Sequence, residues 1–110
     1  MGHAMIDIVQ PFVRRGLFAT PEKAVAEMAQ DYVLRQIERY RAIDESLQAK
    51  YGQTYDQFEA YLRARSATLT AAPDVKLNQA LMLEEEDAQD WQIARDMLRS
   101  WLGLQGEVTA

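Results

Sequence analysis

Gly16-Leu17-Phe18-Ala19-Thr20-Pro21-Glu22-Lys23-Ala24-Val25 reads as a helix stop followed directly by a helix start. Gly16 has no Cβ and can take the left-handed conformation that closes a helix, while Thr20 offers a side-chain oxygen to the unpaired N–H groups of the next one. Pro21 then occupies the first helical position, where its missing N–H costs nothing, and Glu22 sits at the positive end of the helix dipole. A short helix therefore ends at this corner and a longer one begins.

Upstream, Asp7 and Gln10 have capping-box spacing for the first helix, with Ile8, Val9, Phe12 and Val13 as its apolar side and Pro11 in its first turn. Downstream, Val25, Met28, Ala29, Tyr32, Val33, Ile37, Tyr40, Ile43, Leu47 and Tyr51 recur at helical spacing, which predicts one amphipathic helix from Pro21 to Tyr51. At 1.5 Å per residue such a helix is roughly 45 Å long, more than a compact domain of this size needs. Its far end is therefore expected to pack on a second copy of the chain.

Gly52 ends that helix, and Thr54 with Gln57 forms a second capping box for a helix from Tyr55 to Ser66 that buries Phe58, Tyr61 and Leu62. Residues 67–73 read as a linker. A last helix from Asp74 to Leu102 sets Leu77, Leu81, Ala88, Trp91, Ala94, Leu98 and Trp101 or Leu102 near one face, with Gly103 and Gly106 closing it. No strand signal, internal repeat or low-complexity tract interrupts this pattern. The predicted fold is all-α, with a short N-terminal helix, a long helix, a short helix and a C-terminal helix assembled as a helical homodimer. Phe12, Val13, Phe18, Val25, Met28, Tyr32, Val33, Ile37 and Tyr40 are its expected dimer contacts.

With 110 residues, 48% of them hydrophobic, the chain is one domain with material for a core. There is no cysteine, which removes disulfides, thiolate zinc sites and thiol nucleophiles and suits a reducing cytoplasm. No apolar run is long enough to cross a bilayer, and no signal peptide is visible. Met1-Gly2-His3-Ala4 ahead of Met5 reads as a vector remnant and holds the single histidine. The expected organisation is thus a remnant at 1–4, a helical dimerisation region at 5–66, a linker at 67–73, and an acidic partner-binding helix and tail at 74–110. Net charge is -5, and because acids and bases balance from Met5 to Arg65, the imbalance falls after Ser66, chiefly in Glu84-Glu85-Glu86-Asp87 and Asp90. Such a back end is repelled by nucleic acid and attracted to a basic protein surface.

Without a cysteine or a usable histidine, nucleophilic triads, histidine general bases and zinc-bound water lack their components, so no catalytic residue and no cofactor is assigned. The remaining enzymatic route is Mg²⁺ held by carboxylates, as in helical nucleotide pyrophosphohydrolases. Glu84 with Asp87 and Glu86 with Asp90 have the spacing to share a helix face. The facing pairs it would require, Glu38 with Asp44 or Glu45, or Asp56 with Glu59, are not spaced for that work, and no metal site is assigned. Arg35, Arg39 and Arg41 interleave with Asp31, Glu38 and Asp44 and read as surface pairs. Arg14 and Arg15 have no acid nearby, and with the helix start at Thr20 they form a candidate phosphate contact for nucleic acid. The tyrosines and phenylalanines fall at core or dimer-seam spacing. Trp91 and Trp101, beside acids in the last helix, have the character of anchors for a partner groove. The expected partner surface is Glu84, Glu85, Glu86, Asp87, Trp91, Leu98, Trp101 and Leu102.

The corner from Gly16 to Val25, continuing through Ala26-Glu27-Met28-Ala29, resembles ParD-type antitoxins and ribbon-helix-helix relatives, in which a glycine and an aromatic end one helix and a small-residue cap begins the next. Phe12-Val13-Arg14-Arg15 lies where such antitoxins end their first helix. Ile37-Glu38-Arg39-Tyr40-Arg41, Lys50-Tyr51-Gly52 with Tyr55-Asp56-Gln57-Phe58, and Asp90-Trp91 through Trp101-Leu102 are similar to small prokaryotic antitoxins with a long tail. The resemblance implies a homodimer that neutralises a basic toxin by direct contact and regulates its own operator. The ribbon that reads DNA in such proteins needs a strand ahead of the first helix. With Met5 as the expected native start, only Met5 and Ile6 precede Asp7, so DNA contact would fall to Arg14, Arg15 and the Thr20 helix start. The alternatives are a helical adaptor or regulatory protein without a toxin, and the Mg²⁺-dependent hydrolase.

Overall fold

The computed structural model describes residues 3–109 as four helices: α1 (His3–Arg14), α2 (Pro21–Tyr51), α3 (Tyr55–Ala71) and α4 (Val75–Thr109). There is no strand among the described residues, so the fold is all-α. None of these helices is long and apolar enough to cross a membrane. The stretch at 1–4 expected as a vector remnant lies partly outside the described residues, as does the last residue of the expected tail.

The corner forms as its residues predict. Gly16 takes φ 76°; its N–H donates to the Val13 carbonyl at 2.9 Å and the Leu17 N–H to the Phe12 carbonyl at 3.0 Å, the paired bonds of a Schellman motif. The Lys23 N–H then donates to the Thr20 hydroxyl oxygen at 3.1 Å, capping α2. At the other end of α2, Gly52 takes φ 63° and donates to the Gln48 carbonyl at 2.8 Å. The capping box on α3 is complete: Gln57 N–H donates to the Thr54 hydroxyl at 3.3 Å, and Thr54 N–H donates to the Gln57 side chain at 3.0 Å.

Three boundaries differ from expectation. Helix α1 begins at His3, which places Asp7 a turn inside it and Pro11 in its interior, so the expected Asp7–Gln10 box does not open the helix. Helix α3 runs on through residues expected as linker. There the Thr68 and Thr70 hydroxyls donate to the Ala64 and Ser66 carbonyls at 3.0 and 2.9 Å, and Leu69 is carried into the core. The connection shrinks to Ala72–Pro73–Asp74, with Asp74 capping α4 through the Leu77 N–H at 3.0 Å. Helix α4 passes straight through Gly103 and Gly106, neither of which takes positive φ.

The chain divides into two compact units, one holding the chain up to Ile37 and again from Trp101, the other Glu38–Ser100. In the first, Val9, Ala24, Val33 and Ile37 are buried. Tyr32 meets Trp101 edge-on with ring centroids 5.7 Å apart, and the Gln30 side chain donates to the Val108 carbonyl at 3.3 Å, which ties the end of α4 to α2. In the second, Phe58, Leu62, Leu69, Leu81 and Trp91 form the core, with Leu47, Tyr51, Tyr55, Tyr61 and Ala88 packed around it. Within this unit α2 and α4 run antiparallel, since Asp44 meets Trp91 while Tyr51 meets Asp87.

Candidate functional site

The acidic run on α4 divides by helical register. Glu84 and Asp87 lie three residues apart on the inward side, while Glu85 and Glu86 are exposed. The Lys50 ammonium donates to Asp87 at 2.6 Å, and the Tyr51 hydroxyl donates to the same carboxylate oxygen. These bonds, Lys50 first and Tyr51 second, hold the Asp87 carboxyl below the usual carboxylate range. Burial foremost, then Asp87, pushes the Tyr51 hydroxyl well above its ordinary value. One Glu84 oxygen is buried without a hydrogen-bond partner, and the Tyr61 hydroxyl is pushed up by burial and by the neighbouring Glu84 carboxylate.

Trp91 is the largest correction to the expected partner surface. It is 1% exposed. Its ring lies 5.7 Å from Phe58 and 5.6 Å from Tyr55, and its indole N–H donates to Asp44 at 2.6 Å. A side chain so enclosed anchors α4 to α2 and α3 and is not available to a partner. The physical reason is that Trp91 falls on the face of α4 that packs with Phe58, Leu62, Leu69 and Leu81, where burying a large ring removes the most apolar surface from water. Of the other expected partner residues, Leu98 and Trp101 are half-buried, and Leu102 is exposed.

The expected dimer residues divide in a similar way. Val33 and Ile37 are buried within the single chain and so leave the set that a second copy could touch. Val13, Val25 and Tyr40 are half-buried. Tyr32 remains exposed despite its contact with Trp101. Phe12, Phe18 and Met28 line a groove of about 750 Å³ together with Leu17 and Leu34. Leu17 and Leu34 were not among the expected contacts, yet both are exposed. Arg14, Arg15 and Thr20 are exposed around the corner, where the Thr20 hydroxyl is already engaged by Lys23.

Among the described residues, no three acids or histidines gather as a metal site. Two of the acids considered for Mg²⁺ have other partners: Asp87 is held by Lys50 and Tyr51, and Asp44 accepts from the Trp91 indole. What the second unit does present is the outer side of α4, where Met82, Leu83 and Ile93 are exposed beside Glu86 and Asp90. Residues 83, 86, 90 and 93 follow one another at steps of three and four and share a face. Sequence periodicity pointed to the opposite, Trp91-bearing face because both faces carry large apolar side chains. No family model, curated protein or solved structure matches the chain.

Proposed function

We propose that the chain is a non-enzymatic, cytoplasmic helical module that binds protein, and that it acts as the antitoxin of a toxin-antitoxin pair by covering a basic toxin. The observation that supports this reading is the exposed acidic and apolar face of α4. Met82, Leu83 and Ile93 are 56%, 65% and 58% exposed there, next to Glu85, Glu86 and Asp90, none of which joins the ion pairs seen among the described residues. Isolated exposed apolar residues need no explanation, but Met82 with Leu83 at one end of this face and Ile93 about three turns on, with Glu86 and Asp90 between them, combine apolar anchors with one sign of charge, as a surface for a basic protein does. The assignment to an antitoxin rests on the resemblance of the Gly16 corner.

The same proposal assembles the protein as a homodimer. Its contacts would lie on the first unit's groove, where Phe12, Leu17 and Leu34 are exposed. Autoregulatory DNA contact would run through phosphates at Arg14, Arg15 and the α2 start. The test is co-expression of the untagged chain with its adjacent open reading frame, followed by size exclusion with light scattering. A stable complex of two copies with a basic small protein is the expected result. A lone chain in every fraction would remove the antitoxin reading, whereas a complex with a partner that is not toxic to cells would favour an adaptor.

A further inference from the structure

Within the second unit, α2 and α4 leave a groove of about 570 Å³ between them, lined by Tyr40, Ile43, Leu47, Asp90, Ile93 and Ala94 among others. Its floor is apolar, and Ile93 is 58% exposed. Helix α3 packs on the other side of the pair, through Phe58 and Leu62, and does not line it. Asp90 stands on the α4 rim with Glu86 one turn before it, both exposed. On the α2 side the Arg39 guanidinium lies 5.3 Å over the Tyr40 ring. The acid excess of the whole chain is concentrated in this unit: Glu38–Ser100 carries 12 acidic and 8 basic residues, a net of -4 out of the chain's -5.

From this we infer that the groove is the seat for an amphipathic, basic helix supplied by the partner protein, a proposal that rests on the reading above and names the part of the partner that is bound. Two antiparallel helices with a shallow apolar trough between them offer the place a third helix takes in a bundle, with contacts at i, i+3, i+4 and i+7 of the incoming segment. The charge sets its sign and orientation. Lysines or arginines flanking the apolar stripe face Asp90 and Glu86 on the α4 side and turn away from Arg39 on the α2 side. A second copy of this chain is a poorer occupant, because its exposed α4 face presents the same acids.

The probe is a model amphipathic peptide of leucine and lysine about five turns long, with a leucine–glutamate peptide of the same pattern as its control. Titration calorimetry and NMR on the full chain are expected to show saturable binding of the lysine peptide only, with shifts centred on Ile43, Leu47 and Ile93. Ile93→Gln, at an exposed position where the fold tolerates it, should abolish binding. The double variant Glu86→Lys with Asp90→Lys should weaken it about tenfold and remove its salt dependence. Binding unaffected by Ile93→Gln, equal binding of the glutamate peptide, or a dimer that Ile93→Gln turns into a monomer would each overturn the assignment. A toxin complex that forms equally well with Ile93→Gln would also overturn it while leaving the antitoxin reading in place. Peptide capture in this groove without any toxin complex would uphold the groove and remove the antitoxin.

Discussion

Replacing Trp91 by alanine distinguishes a core residue from a partner anchor. The ring is 1% exposed and packs among Phe58, Tyr51 and Tyr55, with Tyr51 6.5 Å away and nearly parallel. Deleting a buried ring of this kind costs about 3–5 kcal/mol through lost burial and the cavity that remains. The substitution also strands the Asp44 carboxylate. Since Asp44 is only half-buried, water can replace the indole, and the added cost is about 1 kcal/mol. A total of about 4–6 kcal/mol is comparable to the whole stability of a small domain, so Trp91→Ala should be largely unfolded at ambient temperature. Trp91→Phe retains most of the apolar surface and should lose about 1–3 kcal/mol. Urea denaturation followed by far-ultraviolet circular dichroism measures both. If Trp91→Ala has an unchanged urea midpoint yet no longer binds the partner, the residue is a surface anchor and the core described above is wrong.

Glycine substitutions should have opposite signs along the chain. Gly52→Ala places a Cβ on a residue at φ 63° with nothing within 4 Å of it, so backbone strain alone should lower stability by about 1–2 kcal/mol. Gly103→Ala, inside α4 and equally free of contacts, should raise it by about 0.5–1 kcal/mol, both read from thermal midpoints. Thr54→Ala removes the capping hydroxyl of α3 and should cost about 1 kcal/mol in urea unfolding. For pH, the Asp87 carboxyl is held low in the folded state, so its contribution is complete above the ordinary carboxylate pKa of about 4 and disappears as pH falls through the folded value. Stability of the wild type should therefore drop more steeply below about pH 4 than that of Asp87→Asn. Parallel curves for the two proteins would show that Lys50 and Tyr51 do not hold this carboxylate.

Helix starts and stops were legible because their chemistry is local. Gly16, Thr20 and Pro21 define one junction, and Gly52, Thr54 and Gln57 the other, without help from distant residues. Where distant contacts override local preference, the sequence misleads. The Ala67–Thr68–Leu69–Thr70 stretch looks like a linker until Leu69 finds a core to enter, and Gly103 looks like a stop until Trp101 and Val108 are held by Tyr32 and Gln30. The candidate site was legible in composition and not in direction. The acid run marks α4, but which of its acids turn inward depends on how that helix is rotated against Lys50 and Tyr51. Ala24, fully buried, carries too small a side chain to stand out in any hydrophobic pattern.

The placement of the two tryptophans makes the protein its own optical instrument. Trp91 lies in the unit spanning Glu38–Ser100 and Trp101 in the other, and the chain contains no further indole. Trp91→Phe leaves a single fluorophore whose emission follows Trp101, and Trp101→Phe leaves one that follows Trp91. Comparing each variant's fluorescence melt with its own far-ultraviolet circular dichroism melt shows whether the units lose structure in one transition or in sequence, with no label attached. If the curves coincide, the continuous α2 and α4 transmit cooperativity along their length. If they separate, each half has a stability of its own, and ligands can be assigned to a unit by which curve they move.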